Sequence, residues 1–259
     1  MLFYAPDILI NRQLPETEAQ HCLKALRMQP GDAIRLTDGK GFFYQAEIAE
    51  IYYRGIAGQA RNDKILNYCK VNLLETIPQP PLWKRRIEIA LAPTKNLDRI
   101  EWFAEKATEI GIDKISFLRC RFSERKEMST ERILKIVISA MKQSEKALLP
   151  ELQAMTGFKE FIRQDFDGQK FIAHCYPDEK IPLAQACRNH ENVLVLIGPE
   201  GDFSEEEISL AKECKYIPVS LGESRLRTET AALVACQTVH TVNQIMNYET
   251  TFDVVNYEL

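Results

Sequence analysis

The sequence predicts an α/β protein in which a small β-rich domain precedes a larger domain built around a parallel sheet. Three observations lead to this fold class. Apolar strand-like runs alternate with amphipathic helices in the larger part, prolines cluster at residues 77–81, and short turn-bounded strands fill the beginning of the chain. Because consecutive prolines interrupt both helix and sheet, we expect domains at residues 1–75 and 82–259, joined by a linker at residues 76–81.

The first domain is predicted to be a small sheet with one helix. Asp32–Thr37 and Phe42–Ile48 flank the glycine-containing loop Asp38–Gly41, which is typical of a β-hairpin, and Val71–Leu74 would complete the sheet. Apolar residues at helical spacing predict a helix over Glu16–Met28, which a following Pro-Gly pair ends.

The second domain is predicted to be a series of βα units, which place a parallel sheet between helices. Leu97–Ile110 has amphipathic spacing closed by Gly111, and Val193–Ile197 is an unbroken aliphatic run. The other predicted strands are Arg86–Ala92, Lys114–Leu118, Lys170–His174 and Tyr216–Ser220. The other predicted helices are Thr130–Lys146, Glu205–Cys214 and Thr230 to about Met246.

Two tight glycine turns follow strands of this sheet and mark the expected ligand site. One is Gly198–Gly201 and the other begins at Leu221-Gly222. Ligands of open α/β sheets bind beyond the carboxyl ends of the strands, and glycine lets backbone amides approach them. We therefore expect a ligand on these two loops.

Acidic residues restrict the chemistry of that ligand. Glu200, Asp202 and Glu205–Glu207 surround the first turn, so a polyphosphate would be repelled and a small, cationic ligand fits better. Neither a Gly-Lys-Ser/Thr phosphate loop nor a spaced Gly-x-Gly-x-x-Gly occurs. The alternative is that the acids only favour the start of a helix, with Ser204 and Glu207 forming a capping box.

Charge is distributed unevenly along the chain. Residues 1–75 carry no net charge, residues 76–150 carry +5 and residues 151–259 carry −9, within an overall charge of −4. Basic residues of the middle segment gather at Lys84–Arg86, Lys95, Arg99 and Arg119–Lys126, so a polyanion would be expected to bind the middle of the chain. The alternative is a set of solvated helix faces.

Cysteine and histidine usage argues against a metal site. The seven cysteines stand singly without a Cys-x-x-Cys pair, and the four histidines are not spaced with them as metal ligands. Such cysteines are typical of reduced, buried residues in a cytoplasmic protein. No apolar run approaches the ~18 residues of a spanning helix, so we expect a soluble, cytoplasmic protein without membrane partners.

The two glycine turns also carry a family resemblance. Ile197-Gly-Pro-Glu-Gly201, Leu221-Gly222 and Leu226-Arg-Thr-Glu-Thr-Ala231 resemble the signature of the ribosomal RNA small-subunit uridine-N3 methyltransferases of the SPOUT superfamily. The likeness extends to His21, Leu26-Arg27, Gly31-Asp32, Asp38-Gly39, Lys106–Gly111, Gln143 and Leu149-Pro150. The chain departs from the family pattern at Leu2 and Lys146, where arginine is usual, and at Lys142, where glutamate is usual.

The resemblance implies a PUA-like RNA-binding β-barrel at residues 1–75 and a SPOUT domain with a deep trefoil knot at residues 82–259. It further implies a homodimer that uses S-adenosylmethionine to methylate N3 of a uridine in 16S ribosomal RNA. The loops after three strands would enclose the cofactor. The implied cofactor-binding residues are Ala173, His174, Ile197, Gly198, Pro199, Glu200, Gly201, Leu221, Gly222, Leu226, Arg227, Thr228 and Ala231.

Methylation of a ring nitrogen requires alignment, loss of a proton and stabilisation of negative charge on the base. We expect Arg227 to supply the cation and Glu200 or Glu229 to handle the proton. The alternatives are that Arg227 and Glu229 pair with each other and that Glu200 accepts backbone N–H bonds. Nitrogen needs no thiolate for activation, so Cys175 is interpreted as a packing residue.

Expected RNA contacts come from Arg27, Lys95 and Arg121, whereas His21 is interpreted as structural. Arg27 could instead serve only to stabilise a helix end. Three other functions stay open from the sequence: a non-catalytic RNA-binding or ribosome-assembly factor, a SPOUT methyltransferase acting on another RNA, and a dinucleotide-dependent enzyme on a Rossmann-like sheet.

Overall fold

The computed structural model describes residues 1–54, 65–189 and 191–255, without the side chains of residues 53–54, 65–67 and 248–255. His190, one of the histidines in the metal argument, lies outside the described residues. The chain forms two compact units. The first comprises Met1–Leu82 with Met141–Leu149, and the second comprises Trp83–Ala140 with Pro150–Leu259.

The first unit therefore includes a segment that the sequence prediction placed in the second domain. Residues of this segment bond to the hairpin loop of the first unit: Gly41 N–H donates to the Ala147 carbonyl at 2.9 Å, and Leu149 N–H donates to the Gly39 carbonyl at 2.9 Å. Thr37 Oγ1 also donates to the Ala147 carbonyl. Such pairing between distant segments has no signature in local sequence.

The first unit contains a four-stranded sheet. Its strands, in spatial order, are β1 (Leu2–Tyr4), β2 (Ala33–Thr37), β3 (Phe42–Arg54) and β4 (Ile65–Pro78). β1 and β2 run parallel, and the other neighbours are antiparallel. Thr37 pairs with Phe43 across the glycine loop, which confirms the predicted hairpin.

The proline-rich segment is not entirely a linker, because β4 continues to Pro78, which pairs with Phe42. Proline has no backbone N–H to donate to a neighbouring strand, and this is tolerated in an edge strand such as β4. The predicted helix over Glu16–Met28 is also partly wrong. α2 (Glu16–Gln20) passes into a π-helical turn at His21–Ala25, in which Leu26 N–H donates to the His21 carbonyl. Apolar periodicity alone does not distinguish this wider turn.

The second unit contains seven parallel strands, which confirms the predicted parallel sheet. In spatial order they are β7 (Glu151–Gly157), β6 (Lys114–Arg119), β5 (Ile87–Leu91), β10 (Val193–Ile197), β8 (Gln169–Ala173), β11 (Ile217–Ser220) and β9 (Ile181–Pro182). Every residue of β5 and β10 is buried, so both faces of the central strands are covered.

The helices of the second unit are α3 (Leu97–Ile110), α5 (Phe158–Phe161), α6 (Leu183–Ala186), α7 (Glu205–Glu213) and α8 (Thr228–Val255). α4 (Glu131–Gln143) begins in the second unit and ends in the first, and α1 (Ile8–Asn11) belongs to the first unit. α8 packs on α3, α6, β5 and β10. Its Ala232, Ala235 and Cys236 are fully buried. None of the described helices is long and apolar enough to cross a membrane.

Because the strands are parallel, the loops after β5, β6, β8, β10 and β11 all emerge at the same edge of the sheet. We call this the carboxyl edge. It brings together both glycine turns and the basic loop that follows β6.

Candidate active site

Two adjoining cavities lie at the carboxyl edge. The larger, of about 380 Å³, lies between the loop after β8 and the loop after β11. The smaller, of about 310 Å³, lies between the loop after β10 and the start of α8. Both are lined by Ala173, Cys175, Arg225, Leu226 and Ala231. Their volumes fall within the range of small-molecule sites.

Nearly all of the expected cofactor residues line these cavities. His174, Leu221 and Gly222 line the larger cavity, and Ala173, Leu226 and Ala231 line both cavities. The smaller cavity is lined by Ile197, Gly198, Pro199, Glu200, Arg227 and Thr228, and by Glu229, which was expected to handle the proton. Gly201 lines neither cavity. A Cβ at Gly201 would lie 3.2 Å from the Cβ of Phe122, so this glycine makes room for a neighbouring aromatic residue.

The first glycine turn is held by its own backbone and by α8. A Cβ at Gly198 would lie 3.1 Å from the Phe203 amide nitrogen, so a side chain would disturb the turn itself. Thr228 Oγ1 donates to the Gly198 carbonyl at 3.0 Å. After the turn, Ser204 and Glu207 form the expected capping box of α7.

Side chains connect the loops after β5, β6 and β10. Glu200 Oε1 accepts the Lys95 N–H at 3.1 Å, as the structural alternative for this residue anticipated. The Arg125 guanidinium donates to the carbonyls of Thr94 and Lys95. These bonds fix the rim of the smaller cavity, so Glu200 has a positioning contact whatever else it does.

Arg227 and Glu229 do not pair with each other. Glu229 is buried, and its Oε1 lies 3.8 Å from the Arg99 Nε, while its Oε2 has no hydrogen-bond partner among the described residues. Arg227 is exposed at the smaller cavity and forms no ion pair within the described part of the chain. The cavity thus holds a buried carboxylate and an available guanidinium.

His174 contributes a second group without partners. It is 7% exposed, and neither ring nitrogen has a hydrogen-bond partner in the described residues. Burial, followed by the positive charge of Lys180, lowers the pKa of His174 below its usual value. Lys180 Nζ also donates to the carbonyls of His174 and Tyr176, which fixes this loop. A neutral, unpaired imidazole therefore lines the larger cavity.

We expect the lowered pKa of His174 to make the protein less stable in acid. The unfolded chain takes up a proton near the ordinary histidine pKa of about 6.5, whereas the folded chain does so only at lower pH. The free energy of unfolding should therefore fall as pH drops through 6.5, and His174→Gln should flatten that fall. Thermal midpoints measured between pH 5 and 8 test this, and parallel curves for the two proteins would contradict it.

Cys175 lies where both cavities meet. Burial and the Asp202 carboxylate raise the pKa of its thiol, so the thiolate is disfavoured at neutral pH. Cys175 N–H donates to Asp202 Oδ2 at 2.7 Å, which ties the loop after β8 to the loop after β10. Across the described ranges, no group of three or more His, Cys, Asp and Glu residues is placed to hold a metal ion.

The expected RNA-binding residues lie on both units. Lys95 and Arg121 are exposed at the carboxyl edge, and they contact Glu124 and Glu206. Arg27 belongs to the first unit, where it is exposed and adopts a left-handed conformation after the π-helical turn. His21 is exposed with its ring 6.2 Å from that of Phe3.

The sequence did not identify Lys180 and Arg225, which line the cavities, and it placed Arg99 only among the basic residues expected to bind a polyanion. Arg225 lies within the same loop as Arg227, so the alternating arginines were an available signal. Arg99 is in the first turn of α3 and meets Glu229 only through the tertiary fold. No local pattern identifies such a partner.

Known family models match parts of both units. The model for an RNA methyltransferase domain matches residues 81–240, and the model for an RNA methyltransferase PUA domain matches residues 14–52. Ribosomal RNA small subunit methyltransferase E of Rickettsia conorii is 27% identical over 81% of each chain. The protein of the same name from Synechocystis is 29% identical over 90% of this chain and 75% of its own.

Solved structures agree. The crystal structure of a probable rRNA-methyltransferase from Porphyromonas gingivalis has a TM-score of 0.83 and 42% identity, covering 94% of this chain and 98% of that one. Ribosomal RNA small subunit methyltransferase E from Neisseria gonorrhoeae, solved bound to S-adenosyl methionine, has a TM-score of 0.74 and 25% identity, covering 93% of this chain and 97% of its own. The glycine turns, the cavities that they line and these matches agree: the chain belongs to the RNA methyltransferase family described by the matching domain model.

Proposed function

We propose that the protein transfers a methyl group from S-adenosylmethionine to N3 of a uridine in 16S ribosomal RNA. The observation that carries this proposal is the pair of cavities at the carboxyl edge, the smaller of which is lined by the exposed Arg227 and by the buried carboxylate of Glu229. The names of the relatives, which describe small-subunit ribosomal RNA methyltransferases, supply the substrate.

The residues present fit the proposed cofactor. Among the described residues, the ring nitrogens of His174 at the larger cavity and one oxygen of Glu229 at the smaller one have no hydrogen-bond partner, whereas buried polar groups normally have one. Glu200, Asp202 and Glu229 suit a cationic sulfonium, while Ile197, Leu221 and Leu226 supply apolar surface. When bound, S-adenosylmethionine supplies an electrophilic methyl carbon.

The chain's own contribution is mainly positioning and electrostatics. The interlinked loops hold the rim of the site, so that the nucleophile and the methyl group can be aligned. As N3 loses its proton, negative charge develops on the uracil oxygens, and Arg227 stabilises it. Glu229, whose Oε2 has no hydrogen-bond partner in the described ranges, is the proposed proton acceptor, and Glu200 is a second candidate.

We further propose that both units bind RNA, through Arg27 in the first and through Lys95 and Arg121 in the second. Replacement of Arg27 by alanine should weaken binding to small-subunit RNA and reduce the slope of log affinity against log salt by about 1, since one phosphate contact is lost. Fluorescence anisotropy at several salt concentrations measures this. Lys24→Ala, on the same exposed segment, is the matched control, and an unchanged slope for Arg27→Ala would leave Arg27 a structural role.

Four finer features belong to the same proposal. A closed barrel in the first unit is supported by the backbone bonds of residues 12–14 to β4, because β1 of the same segment pairs with β2 at the other side of the sheet. A deep trefoil knot involving residues 221–231 and α8 is supported by the family resemblance. So are a homodimer, which sedimentation velocity tests, and a cytoplasmic location.

The function is tested by incubating the purified protein with methyl-labelled S-adenosylmethionine and small ribosomal subunits that lack the modification. Label should enter the RNA and co-migrate with 3-methyluridine after digestion to nucleosides. Failure to transfer label under conditions where calorimetry shows cofactor binding would refute the enzymatic function. Label in another nucleoside would reassign the target atom.

A further inference from the structure

An exposed phenylalanine lies on a hydrogen-bonded turn at the carboxyl edge. Phe122 is 46% exposed and follows β6. Its turn is closed by two bonds: Cys120 N–H donates to Ser123 Oγ at 2.9 Å, and Ser123 N–H donates to the Cys120 carbonyl at 3.2 Å. Cys120 and Ser123 are both buried. The hydrogen bonds hold the backbone of this turn in a conformation that leaves the aromatic side chain exposed.

The turn is also bound to the loop that lines the smaller cavity. Glu207, only 7% exposed, accepts Arg121 N–H at Oε1 and Ser204 N–H at Oε2, at 2.8 and 2.9 Å. One buried carboxylate thus connects the Phe122 turn to the start of α7, directly after the glycine turn. These two bonds fix the position of the Phe122 turn relative to the start of α7.

Gly201 adds close packing to this connection. A Cβ there would lie 3.2 Å from Phe122 Cβ and 3.7 Å from Phe122 Cγ. The base of the phenylalanine side chain therefore rests on the glycine turn, and the ring extends from it. Gly201 therefore has a packing role in this chain, although it lines neither cavity.

The surroundings of the ring suit RNA. The Arg121 guanidinium lies 5.9 Å from the ring centroid and is largely exposed, and Lys95 is exposed on the neighbouring loop. Their carboxylate partners, Glu206 and Glu124, are also exposed, so these pairs are screened by water and can exchange for phosphate.

We propose that Phe122 is the stacking platform for the nucleobase that enters the site. This inference rests on the proposed function. A base that is modified at a ring atom must leave its stack to reach the enzyme, and proteins hold such bases against aromatic faces. Phe122 provides that face beside the methyl-donor cavity, and Arg121 adds charge for the adjoining backbone.

The test compares three substitutions of Phe122. Phe122→Leu keeps apolar bulk without an aromatic face, Phe122→Ala removes both, and Phe122→Trp keeps the face. The leucine and alanine variants should lose about 5- to 150-fold in kcat/KM for small subunits and in affinity for an oligouridylate. The tryptophan variant should restore most of the loss. Cofactor affinity by calorimetry and the thermal midpoint should be unchanged in all three.

Leu134→Ala is the control, because Leu134 is 39% exposed on α4 and has no assigned role. Wild-type behaviour of Phe122→Leu, equal loss in the tryptophan variant, or a change of oligomeric state in sedimentation would overturn the proposal. If the wild type transfers no methyl group, the proposed function fails, and the oligouridylate affinities still decide whether Phe122 stacks on a base.

Discussion

Replacing Gly198 with valine should strongly weaken the binding of S-adenosylmethionine. A Cβ at this position would lie 3.1 Å from the Phe203 amide nitrogen and 3.2 Å from the Asp202 carbonyl carbon, and both are backbone atoms that cannot move without opening the turn. Overpacking of this kind costs about 1–3 kcal/mol, and a cost of that size borne by the binding turn corresponds to about a 5- to 150-fold rise in Kd. Isothermal titration calorimetry measures the effect.

The displaced turn would also lose its bond from Thr228 Oγ1 to the Gly198 carbonyl, which connects the turn to the start of α8. Gly198→Ala should therefore have a smaller effect in the same direction. Gly222→Ala is an informative comparison, because Gly222 has a φ of 124° and no atom outside the adjoining residues lies within 4 Å of the position that a Cβ would take. The cost there would come from backbone strain and from contact with a ligand in the larger cavity, and not from overpacking of the turn. Valine at 198 with a Kd within about threefold of wild type would contradict the packing argument.

The central elements of the fold were predictable because their local sequence and their tertiary environment favour the same structure. Val193–Ile197 is an unbroken aliphatic run, and it forms a strand buried on both faces. Leu97–Ile110 begins after Asn96, whose side chain accepts Asp98 N–H, and ends at Gly111, so both boundaries carry capping signals. Local signals were sufficient at these positions.

Edge elements were not predictable in the same way. β7 is an edge strand with no fully buried residue, so it lacks the apolar run that marks the central strands. β9 has only two residues, and its pairing with β11 depends on the fold. The local sequence of these strands does not indicate which neighbours they pair with, so they could not be predicted from it.

The candidate site shows the same division. The glycine turns were identifiable as a ligand site, but the expected reason for Gly198 was ligand approach, whereas its Cα faces the return of its own turn. The pairing of Glu229 with Arg99 joins α8 to the first turn of α3, which only the folded sheet brings together. Residue types identified the chemistry, and tertiary packing determined the partners.

Replacing Arg227 with alanine should lower kcat by about 10²- to 10³-fold, the usual effect of removing one group that stabilises developing negative charge. The affinity for S-adenosylmethionine should change little. Arg227 forms no ion pair in the described residues, and its carbonyl accepts Ala231 N–H, which places its cation at the positive end of the α8 dipole. Because that position disfavours a cation, the side chain has no evident stabilising role, and the thermal midpoint should stay constant or rise.

Two controls separate catalysis from binding. Arg227→Lys keeps the charge without the planar fork and should recover part of kcat, and added guanidinium should partly restore the alanine variant. Single-turnover rates with saturating cofactor isolate the methyl-transfer step from product release. Equal losses in kcat and in cofactor affinity would assign Arg227 to binding, since a group that acts only as charge develops on the base stabilises the transition state more than the ground state.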